Sequence, residues 1–377
     1  MPETIQLPRV TVTGQRAPTN DTVAIVVKGR RWEGWTAVRI TRGIERIPSD
    51  FEVQMTEFAP GSGSIEILRG DPFQLMIGDD LVITGYVDRI VRSFDAHRHT
   101  VTVSGRSKAQ DLVDCSAEWP GGQIVGASVF DIATKLAAPY GIEVTGIGDM
   151  GPQIPQFNLA RGETPFQIIE RLCRFGQLLA YDDVNGDLVL SAVSTRRAAS
   201  GFREGVNVKR ATHAATIDQR FSEYLSFMQS MATLDDLGPG GDLQAIVTDE
   251  EVPRHRRRIL ICETSGGVGW EIAQDRAKWE GNRRRGRSAV VTITTDSWRD
   301  RSGALYTPNT VAHVELPTLK VAGSDLTIGE VTYRLGDEGT TCELTMMPSI
   351  AFTPQPFNVL QLLPFAELAG ISANAQH

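Results

Sequence analysis

Phe51-Glu-Val-Gln-Met-Thr-Glu-Phe58 decides the fold class, because apolar and polar side chains alternate along it. A period of two places one face of a β-strand on a core and the other towards solvent. Further stretches suit the same period, and Pro48 and the run Pro60-Gly-Ser-Gly-Ser64 punctuate them. These stretches are Val23–Lys28, Trp35–Ile40, Phe73–Ile77, Leu81–Thr84, Tyr86–Val91 and Thr100–Ser104. About seven short strands between residues 21 and 105 predict a first β-barrel domain.

The pattern changes after Gly105. Ser128–Ala138 has apolar residues at helical spacing, and Thr164-Pro165 is typical of an N-cap followed by the first residue of a second helix. Asn185-Gly186 lies between two apolar stretches, which indicates a tight β-hairpin. Residues 106–204 are therefore predicted to form a small α+β domain.

The alternating pattern returns from residue 205. We predict a second, discontinuous β-barrel domain from residues 205–235 and 285–350. Between these segments, residues 236–284 are predicted to form a loop and helical insertion: residues 234–258 are rich in Gly, Asp and Arg and are interpreted as a long loop, and Val268–Gly281 has helical spacing.

The two ends of the chain differ in character. Residues 1–20 are polar, carry three prolines and are predicted to form a flexible arm. Residues 351–377 form an apolar, proline-containing C-terminal tail. That tail either docks on its own domain or covers a neighbouring subunit, and the sequence leaves both possibilities open.

A faint internal repeat links the two predicted barrels. Gly78-Asp-Asp-Leu-Val-Ile-Thr-Gly-Tyr-Val87 and Gly323-Ser-Asp-Leu-Thr-Ile-Gly-Glu-Val331 share the skeleton G-x-D-L-x-I, followed by Gly and Val with one residue dropped. Chance similarity between hairpins is one explanation, and two related barrels per chain is the other. In the second case a trimer would present six similar units and could mate with a six-fold ring.

Composition is that of an ordinary globular protein, with 41% hydrophobic and 22% charged residues and a net charge of −8. The acidic balance argues against a surface that binds nucleic acid throughout. Arginines nevertheless cluster in two short runs, which are either solvated loops or a subunit interface. The candidate interface residues are Arg256, Arg257, Arg258, Arg283, Arg284 and Arg285.

Cysteine spacing and hydropathy bear on the compartment. The four cysteines (Cys115, Cys173, Cys262 and Cys342) lie far apart, which favours reduced thiols over a disulfide framework. The first residues lack the apolar segment of a signal peptide, and no window approaches the roughly 20 apolar residues of a membrane span. We therefore expect a protein that folds in the cytoplasm.

Few residues have the spacing of a chemical site. His97 and His99 could offer two metal ligands, and Asp183, Asn185 and Asp187 mimic the first half of a calcium loop, but neither set is completed. We find no nucleophile elbow, phosphate loop or zinc-protease motif. No catalytic, metal or cofactor site is predicted, although the acidic run 249–251 could supply carboxylates for glycoside hydrolysis if it lined a pocket.

Several stretches, taken in order, resemble one known family. Val101–Ser116, Gly34-Trp35, Gly85-Tyr-Val87, Phe175–Asp182, and Trp298 followed by Leu305-Tyr-Thr-Pro-Asn309 resemble the baseplate hub, or tail protein P, family of phage Mu and Mu-like prophages. The resemblance covers nearly the whole chain, and its specificity comes from the order of the stretches. It transfers no catalytic residue.

The resemblance implies a mainly β chain with an α+β middle domain, in which two β-barrel domains per chain form a pseudo-six-fold trimeric ring. Such a hub adapts the six-fold tail tube of a contractile tail to a three-fold central spike and leaves a channel for DNA passage. Its implied partners are its own copies, the spike, the tail tube or distal tail protein and other baseplate proteins, with DNA only in transit. It would be assembled in the host bacterial cytoplasm and reside in the virion tail baseplate.

Two alternatives remain beside this hypothesis. One is a type VI secretion spike hub, which belongs to the same structural class. The other is a tail-associated carbohydrate-degrading enzyme, which would require paired carboxylates in a pocket.

Overall fold

The computed structural model describes residues 21–56, 66–95, 99–119, 123–151, 153–158, 161–229, 244–263 and 270–354. The predicted arm and all but the first four residues of the predicted tail therefore lie outside the described residues. The protein is mainly β, as the alternation predicts, with a large antiparallel sheet and few helices.

The first unit is a purely antiparallel array in the order β2-β1-β5-β6-β7-β4-β3. Phe51, Val53 and Met55 point into the core from β4, whereas the residues between them are half-buried. The alternation that predicts this strand therefore also selects its buried face. The strands are β1 (Val23–Val27), β2 (Arg30–Trp32), β3 (Ala37–Gly43), β4 (Asp50–Thr56), β5 (Pro72–Ile77), β6 (Asp80–Phe94) and β7 (His99–Ser107).

The middle unit has its own core, built around helices α2 and α3. Both helices begin with a capping box, Ser128 with Asp131 and Thr164 with Gln167, so local sequence sets where they start. Ile132 and Leu172 are fully buried between the helices and the short strands. The elements are α1 (Gln110–Asp114), β8 (Gln123–Ala127), α2 (Val129–Ala137), β9 (Val144–Ile147), β10 (Ile154–Asn158), α3 (Pro165–Gly176), β11 (Leu179–Asp182) and β12 (Leu188–Ser191).

The last part of the chain contains a second β unit and an inserted sheet. Its elements are β13 (Phe202–Arg203), β14 (Arg210–Ala215), β15 (Glu223–Gln229), β16 (Gln244–Thr248), β17 (Arg257–Glu263), α4 (Trp270–Arg287), β18 (Ala289–Thr295), β19 (Thr310–Leu316), β20 (Val321–Gly336) and β21 (Gly339–Met347). The second β unit runs in the order β14-β18-β21-β20-β19, and β13 pairs in parallel with β19.

One pairing joins the two β units into a single sheet. The second half of β20 pairs antiparallel with β3, with Tyr333 opposite Ile40 and Leu335 opposite Val38. Side chains of both units share one hydrophobic core as a result. The strand pairings among the described residues form an open path, so the two closed barrels stay a prediction.

The insertion departs from the sequence prediction in two places. Residues 223–229, expected in the second barrel, form β15 of a separate sheet in the order β16-β15-β17. Residues 244–248 and 257–263, of which 244–258 were interpreted as loop, are the other two strands of that sheet. The local pattern misses this sheet because β15 pairs in parallel with a strand about 30 residues further on. Tyr224 is buried, and Gly281, which lies against its ring, is also distant in sequence.

Helix α4 also extends beyond its predicted end at Gly281 and continues to Arg287. Gly281 and Gly286 do not end the helix because each serves close packing. A Cβ at Gly281 would lie 3.4 Å from the Tyr224 ring, and one at Gly286 would lie 2.7 Å from the backbone nitrogen of Ala351. Glycine costs the helix roughly 1 kcal/mol per residue, which burial against these neighbours offsets.

The two β units repeat each other in strand order. β3-β4-β7-β6-β5 corresponds to β14-β18-β21-β20-β19. Each long strand carries a register shift at the equivalent place, between Val87 and Arg89 in β6 and between Ile328 and Glu330 in β20. The shifts match Val87 with Ile328, whereas the sequence repeat matched it with Val331. The duplication is therefore visible in the topology, in a register that the shared motif did not predict.

Candidate interface around helix α4

The structure brings three arginines of the two runs together around one aromatic ring. The guanidinium carbons of Arg256, Arg258 and Arg284 lie 5.0, 5.7 and 5.3 Å from the centroid of the Phe221 ring. Each distance is within the range of a cation–π contact. Phe221 is therefore the centre of a cationic cluster that the sequence analysis missed, because nothing in its local sequence marks it.

Hydrogen bonds hold two of these arginines in place. Arg256 donates to the carbonyl oxygens of Asp218 at 2.6 Å and Ile217 at 3.3 Å. Arg284 donates to Glu280 Oε1 at 2.7 Å, one turn back on α4, and to the carbonyl oxygen of Gln219 at 2.9 Å. Both side chains are half-buried and tie the insertion to the segment that leads into β15.

A buried ion pair lies beside this cluster. Arg220 donates to both carboxylate oxygens of Asp249, at 2.7 to 2.9 Å, and to Glu251 Oε2 at 2.8 Å. Burial opposes the charge on Arg220, but hydrogen bonds to the two carboxylates more than offset it and raise the pKa of the guanidinium. Arg285 reaches the other oxygen of Glu251. Two carboxylates of the acidic run are therefore engaged in ion pairs.

The two remaining candidate arginines point elsewhere. Arg257 is exposed and pairs with Glu223 at 2.7 Å. Arg283 donates to Glu45 Oε1 at 2.8 Å and to the carbonyl oxygen of Thr353 at 2.9 Å. Burial and the neighbouring Arg287 lower the pKa of Arg283. Of the six candidates, Arg257, Arg258 and Arg285 are exposed, and the other three are half-buried in contacts within the chain.

The sequence left solvated loops and a subunit interface open for these arginines, and five of the six lie in regular secondary structure. Arg283, Arg284 and Arg285 belong to the last turns of α4, and Arg257 and Arg258 begin β17. The reason is that α4 continues past Gly281 and that β17 pairs with β15.

The beginning of the C-terminal tail packs on its own chain. Ala351 and Phe352 are buried. Trp279 donates its indole N–H to the carbonyl oxygen of Thr353 at 2.9 Å, and Arg287 donates to that of Ala351 at 3.1 Å. Residues 351–354 therefore lie against α4, and the rest of the tail is outside the described residues.

The residues that carry the family resemblance have packing roles. A Cβ at Gly85 would lie 1.9 Å from the carbonyl oxygen of Arg106, so only glycine fits between β6 and β7. Trp298 is fully buried, packs edge-on against Tyr333 and donates its indole N–H to the carbonyl oxygen of Thr341 at 2.8 Å. Both motif residues therefore have a packing role in the large sheet.

Asn309 connects the middle unit to the large sheet. Its backbone has a φ of +58°. Its side chain accepts from the backbone N–H of Ser194 at 2.8 Å and donates to Ser191 Oγ and to the carbonyl oxygen of Ala192, each at 3.3 Å. Asparagine tolerates the left-handed conformation better than most residues do, which suits it to this position.

The possible metal ligands of the sequence analysis are not assembled in the described residues. His97 lies outside them. Asp183 Oδ1 accepts the backbone N–H groups of Asn185 at 2.8 Å and Asp187 at 2.9 Å, so its carboxylate closes the hairpin turn. Within the described ranges, no group of three or more His, Cys, Asp or Glu residues could hold a metal ion. None of the helices described there is long and apolar enough to cross a membrane.

Cys115, Cys173 and Cys342 are free thiols, as the wide spacing of the cysteines predicts. Burial raises the pKa of Cys173 to about 12, which leaves it protonated and unreactive at neutral pH.

Family models matched along the chain identify a structural protein of phage-tail baseplates. Residues 22–107 match the family model of the Mu phage baseplate assembly protein GpP-like N-terminal domain. Residues 109–192 match that of the second domain of baseplate hub protein gp44-like proteins. Residues 270–355 match that of the fourth domain of the Mu phage baseplate assembly protein GpP.

Whole-chain comparisons agree. The chain is 30% identical to the baseplate hub protein gp44 of Escherichia phage Mu, over 88% of this chain and 89% of that protein. It superimposes on the 43 kDa tail protein of prophage MuSo2 from Shewanella oneidensis with a TM-score of 0.80 and 30% identity, covering 89% of this chain and 100% of that one. The tail protein from Neisseria meningitidis MC58 has the same fold, with a TM-score of 0.72 and 23% identity over 89% of this chain and 99% of that one. The chain belongs to the Mu-type baseplate hub family.

Proposed function

We propose that this protein is the structural hub of a contractile phage-tail baseplate and acts as a homotrimer. The observation that carries the proposal is the match of three successive segments to hub and baseplate assembly domains of the Mu family. The duplicated β unit supports the assembly that we propose, because three copies with two similar units each present six. Such a ring adapts a six-fold tail tube to a three-fold central spike.

The proposed partners follow from this position. The hub contacts its own copies, the central spike protein, the tail tube or distal tail protein and other baseplate proteins, and DNA crosses its centre only during ejection. It is assembled in the host bacterial cytoplasm and resides in the virion tail baseplate.

We propose the division into domains with one change. A first barrel at residues 21–105 and an α+β domain at 106–204 are kept. The second barrel takes residues 205–222 with 288–350, because residues 223–287 contain the inserted sheet and α4. Each β unit is an open array by itself in the described residues, so closure of the barrels would require further strands.

We propose that the three exposed candidate arginines, Arg257, Arg258 and Arg285, lie at contacts between subunits and not along the bore. DNA carries one charge per about 1.7 Å, so a continuous basic lining would bind it too tightly to let it pass. Replacing these three arginines with glutamate should weaken assembly, measured by light scattering, more than it changes DNA affinity, measured by gel shift at physiological salt. Tight, arginine-dependent DNA binding by an intact trimer would contradict this placement.

A structural role without catalysis is the remaining part of the proposal. The matched families and relatives are named for tails and baseplates, not for a reaction. The carbohydrate-degrading alternative loses its main observation, because Asp249 and Glu251 are held in ion pairs. Turnover of peptidoglycan or polysaccharide by the purified chain, abolished by one carboxylate substitution, would restore it. The type VI alternative is weaker because the 30% identical relatives are phage and prophage tail proteins.

The mass in solution tests the hub proposal most directly. Light scattering of the full chain at micromolar concentration should report three copies, since obligate oligomers bury roughly 2,000 Å² or more per interface. A monomer under these conditions would contradict the proposal.

A further inference from the structure

Two strand edges of the large sheet lack a partner strand in the described parts of the chain. β5 ends opposite Tyr86, so that beyond Val87 the long strand β6 pairs with β7 and with no other strand among the described residues. At the far end of the sheet, β14 pairs with β18 and with no second strand in the described ranges. Val91 and Phe94 on this part of β6 are 46% and 86% exposed. Open edges of this kind readily accept another strand.

Within the chain, the pairing of β20 with β3 shows how two such strand edges are joined. The second half of β20 pairs antiparallel with β3, and both strands are largely buried there. Thr332 lies opposite Thr41, and their hydroxyl oxygens are 3.2 Å apart. This pairing of β20 with β3, called the joint below, connects the second β unit to the first within one chain.

Strand registers show which residues are equivalent to those of the joint. Ile90 lies opposite Val103 of β7, and Val331 lies opposite Leu344 of β21. The register shift precedes Arg89 in the first hairpin and Glu330 in the second. Counted from these shifts, Val91 of β6 occupies the position of Thr332 in β20.

The same comparison relates β14 to β3. Val53 and Ile293 are the equivalent core residues of β4 and β18, because they face Val103 and Leu344 respectively. Val38 lies opposite Val53, and Ala211 lies opposite Ile293. Ala214 of β14 therefore occupies the position of Thr41 in β3. The two open edges are the counterparts of the two strands that form the joint within the chain.

We infer that β6 of one copy pairs antiparallel with β14 of the neighbouring copy, in the register of the joint between β20 and β3. This register places Val91 opposite Ala214, Ile90 opposite Ala215 and Ser93 opposite Thr212. The inference rests on the proposed function, because it supplies the contact between copies in the proposed trimer.

The chemistry of the two edges suits this pairing. β14 carries the small residues Ala211, Ala214 and Ala215 beside the larger Arg210 and His213. The exposed side chain of Val91 would gain an apolar neighbour in Ala214. The contact joins two different surfaces, so in a trimer with three-fold symmetry it closes a ring, in which joints within and between chains alternate. Three chains then supply six joints of one kind.

Disulfide trapping tests the register in the full chain. Directly opposed residues of antiparallel strands have Cα atoms about 4.5–5.5 Å apart, within the range that a disulfide spans. After mild oxidation of the double variant Val91→Cys/Ala214→Cys, a non-reducing gel should show covalent dimers and trimers as the main species. The wild-type chain and each single variant should remain monomeric on that gel.

The matched control is Val91→Cys/Ala211→Cys. Ala211 is three residues from Ala214 on the same strand, which displaces it by roughly 10 Å along β14. This pair should cross-link at least tenfold less than the pair in register. If the double variant Val91→Cys/Ala214→Cys does not fold, as judged by circular dichroism, the double variant Ser93→Cys/Thr212→Cys tests the same register.

The outcomes separate this inference from the hub proposal. A trimeric mass without cross-links in either in-register pair overturns the strand pairing and leaves the hub proposal standing. A cross-link within one chain, seen as a faster-migrating monomer, overturns the pairing between copies as well. A monomeric mass in light scattering contradicts the hub proposal itself.

Discussion

Replacement of Arg220 by alanine tests how the inserted sheet is held together. The side chains of Arg220 and Asp249 are each 10% exposed, and the guanidinium binds both carboxylate oxygens. Removing one partner of a buried pair costs about 3–5 kcal/mol, because the other charge stays buried without compensation. Asp249 keeps a backbone hydrogen bond from Glu251 at 3.2 Å, so we expect a cost of about 3 kcal/mol, at the lower end of that range.

Arg257→Ala is the matched control. Arg257 also pairs with a glutamate of this sheet, Glu223, but its side chain is 50% exposed. An exposed pair contributes about 0–1 kcal/mol because solvent screens it. Both substitutions remove an arginine side chain that pairs with a carboxylate at this sheet, and the pair of Arg220 is the buried one.

Hydrogen exchange of the backbone amides of β15, β16 and β17 measures the effect locally. A loss of about 3 kcal/mol accelerates exchange roughly a hundredfold, since 1.4 kcal/mol is a factor of ten. Arg257→Ala should accelerate it less than about tenfold. Equal effects of the two substitutions would show that the buried pair with Asp249 contributes no more than a surface ion pair, and would refute this account of the insertion.

Three further predictions concern the large sheet and the middle unit. Burial raises the pKa of Asp182, so the folded state favours the protonated carboxyl group. The free energy of unfolding should therefore fall as the pH rises above the ordinary pKa of about 3.9. In urea denaturation measured at several pH values, Asp182→Asn should remove this part of the pH dependence. Gly85→Ala should destabilise the protein by more than the ~1–3 kcal/mol of ordinary overpacking, whereas Gly336→Ala, whose Cβ would meet nothing within 4 Å, should have little effect in the same thermal melts. Asn309→Ala should cost about 1–3 kcal/mol in urea denaturation, because it leaves Ser194 N–H without its acceptor and strains a left-handed backbone; no loss would mean that water replaces this contact.

Several features could be predicted from the sequence because they depend on neighbours a few residues away. The alternation in Phe51–Thr56 sets both the strand and its buried face. Ser128 and Thr164 begin helices because their side chains accept a backbone N–H three residues later. The order of the family stretches also led to the baseplate hub family, which the comparisons show.

The partners of the candidate arginines could not be predicted from the sequence. The sequence marked two runs of arginines, but only the fold brings Arg256 and Arg284 to the Phe221 ring and sends Arg283 to Glu45. Their partners lie up to 238 residues away, and no local pattern encodes which carboxylate a guanidinium will meet.

The sequence by itself determined most strands of the first β unit, the starts of helices α2 and α3, and the family. Only the tertiary structure decided that β20 pairs with β3, that α4 runs through two glycines, and that the repeat aligns Val87 with Ile328. The physical reason is that propensities and caps act within one or two turns of chain, whereas a strand's partner is selected by the side chains and backbone groups that remain unburied after local structure has formed. Thr41 and Thr332 are 291 residues apart in sequence, and the pairing of β3 with β20 brings them into contact.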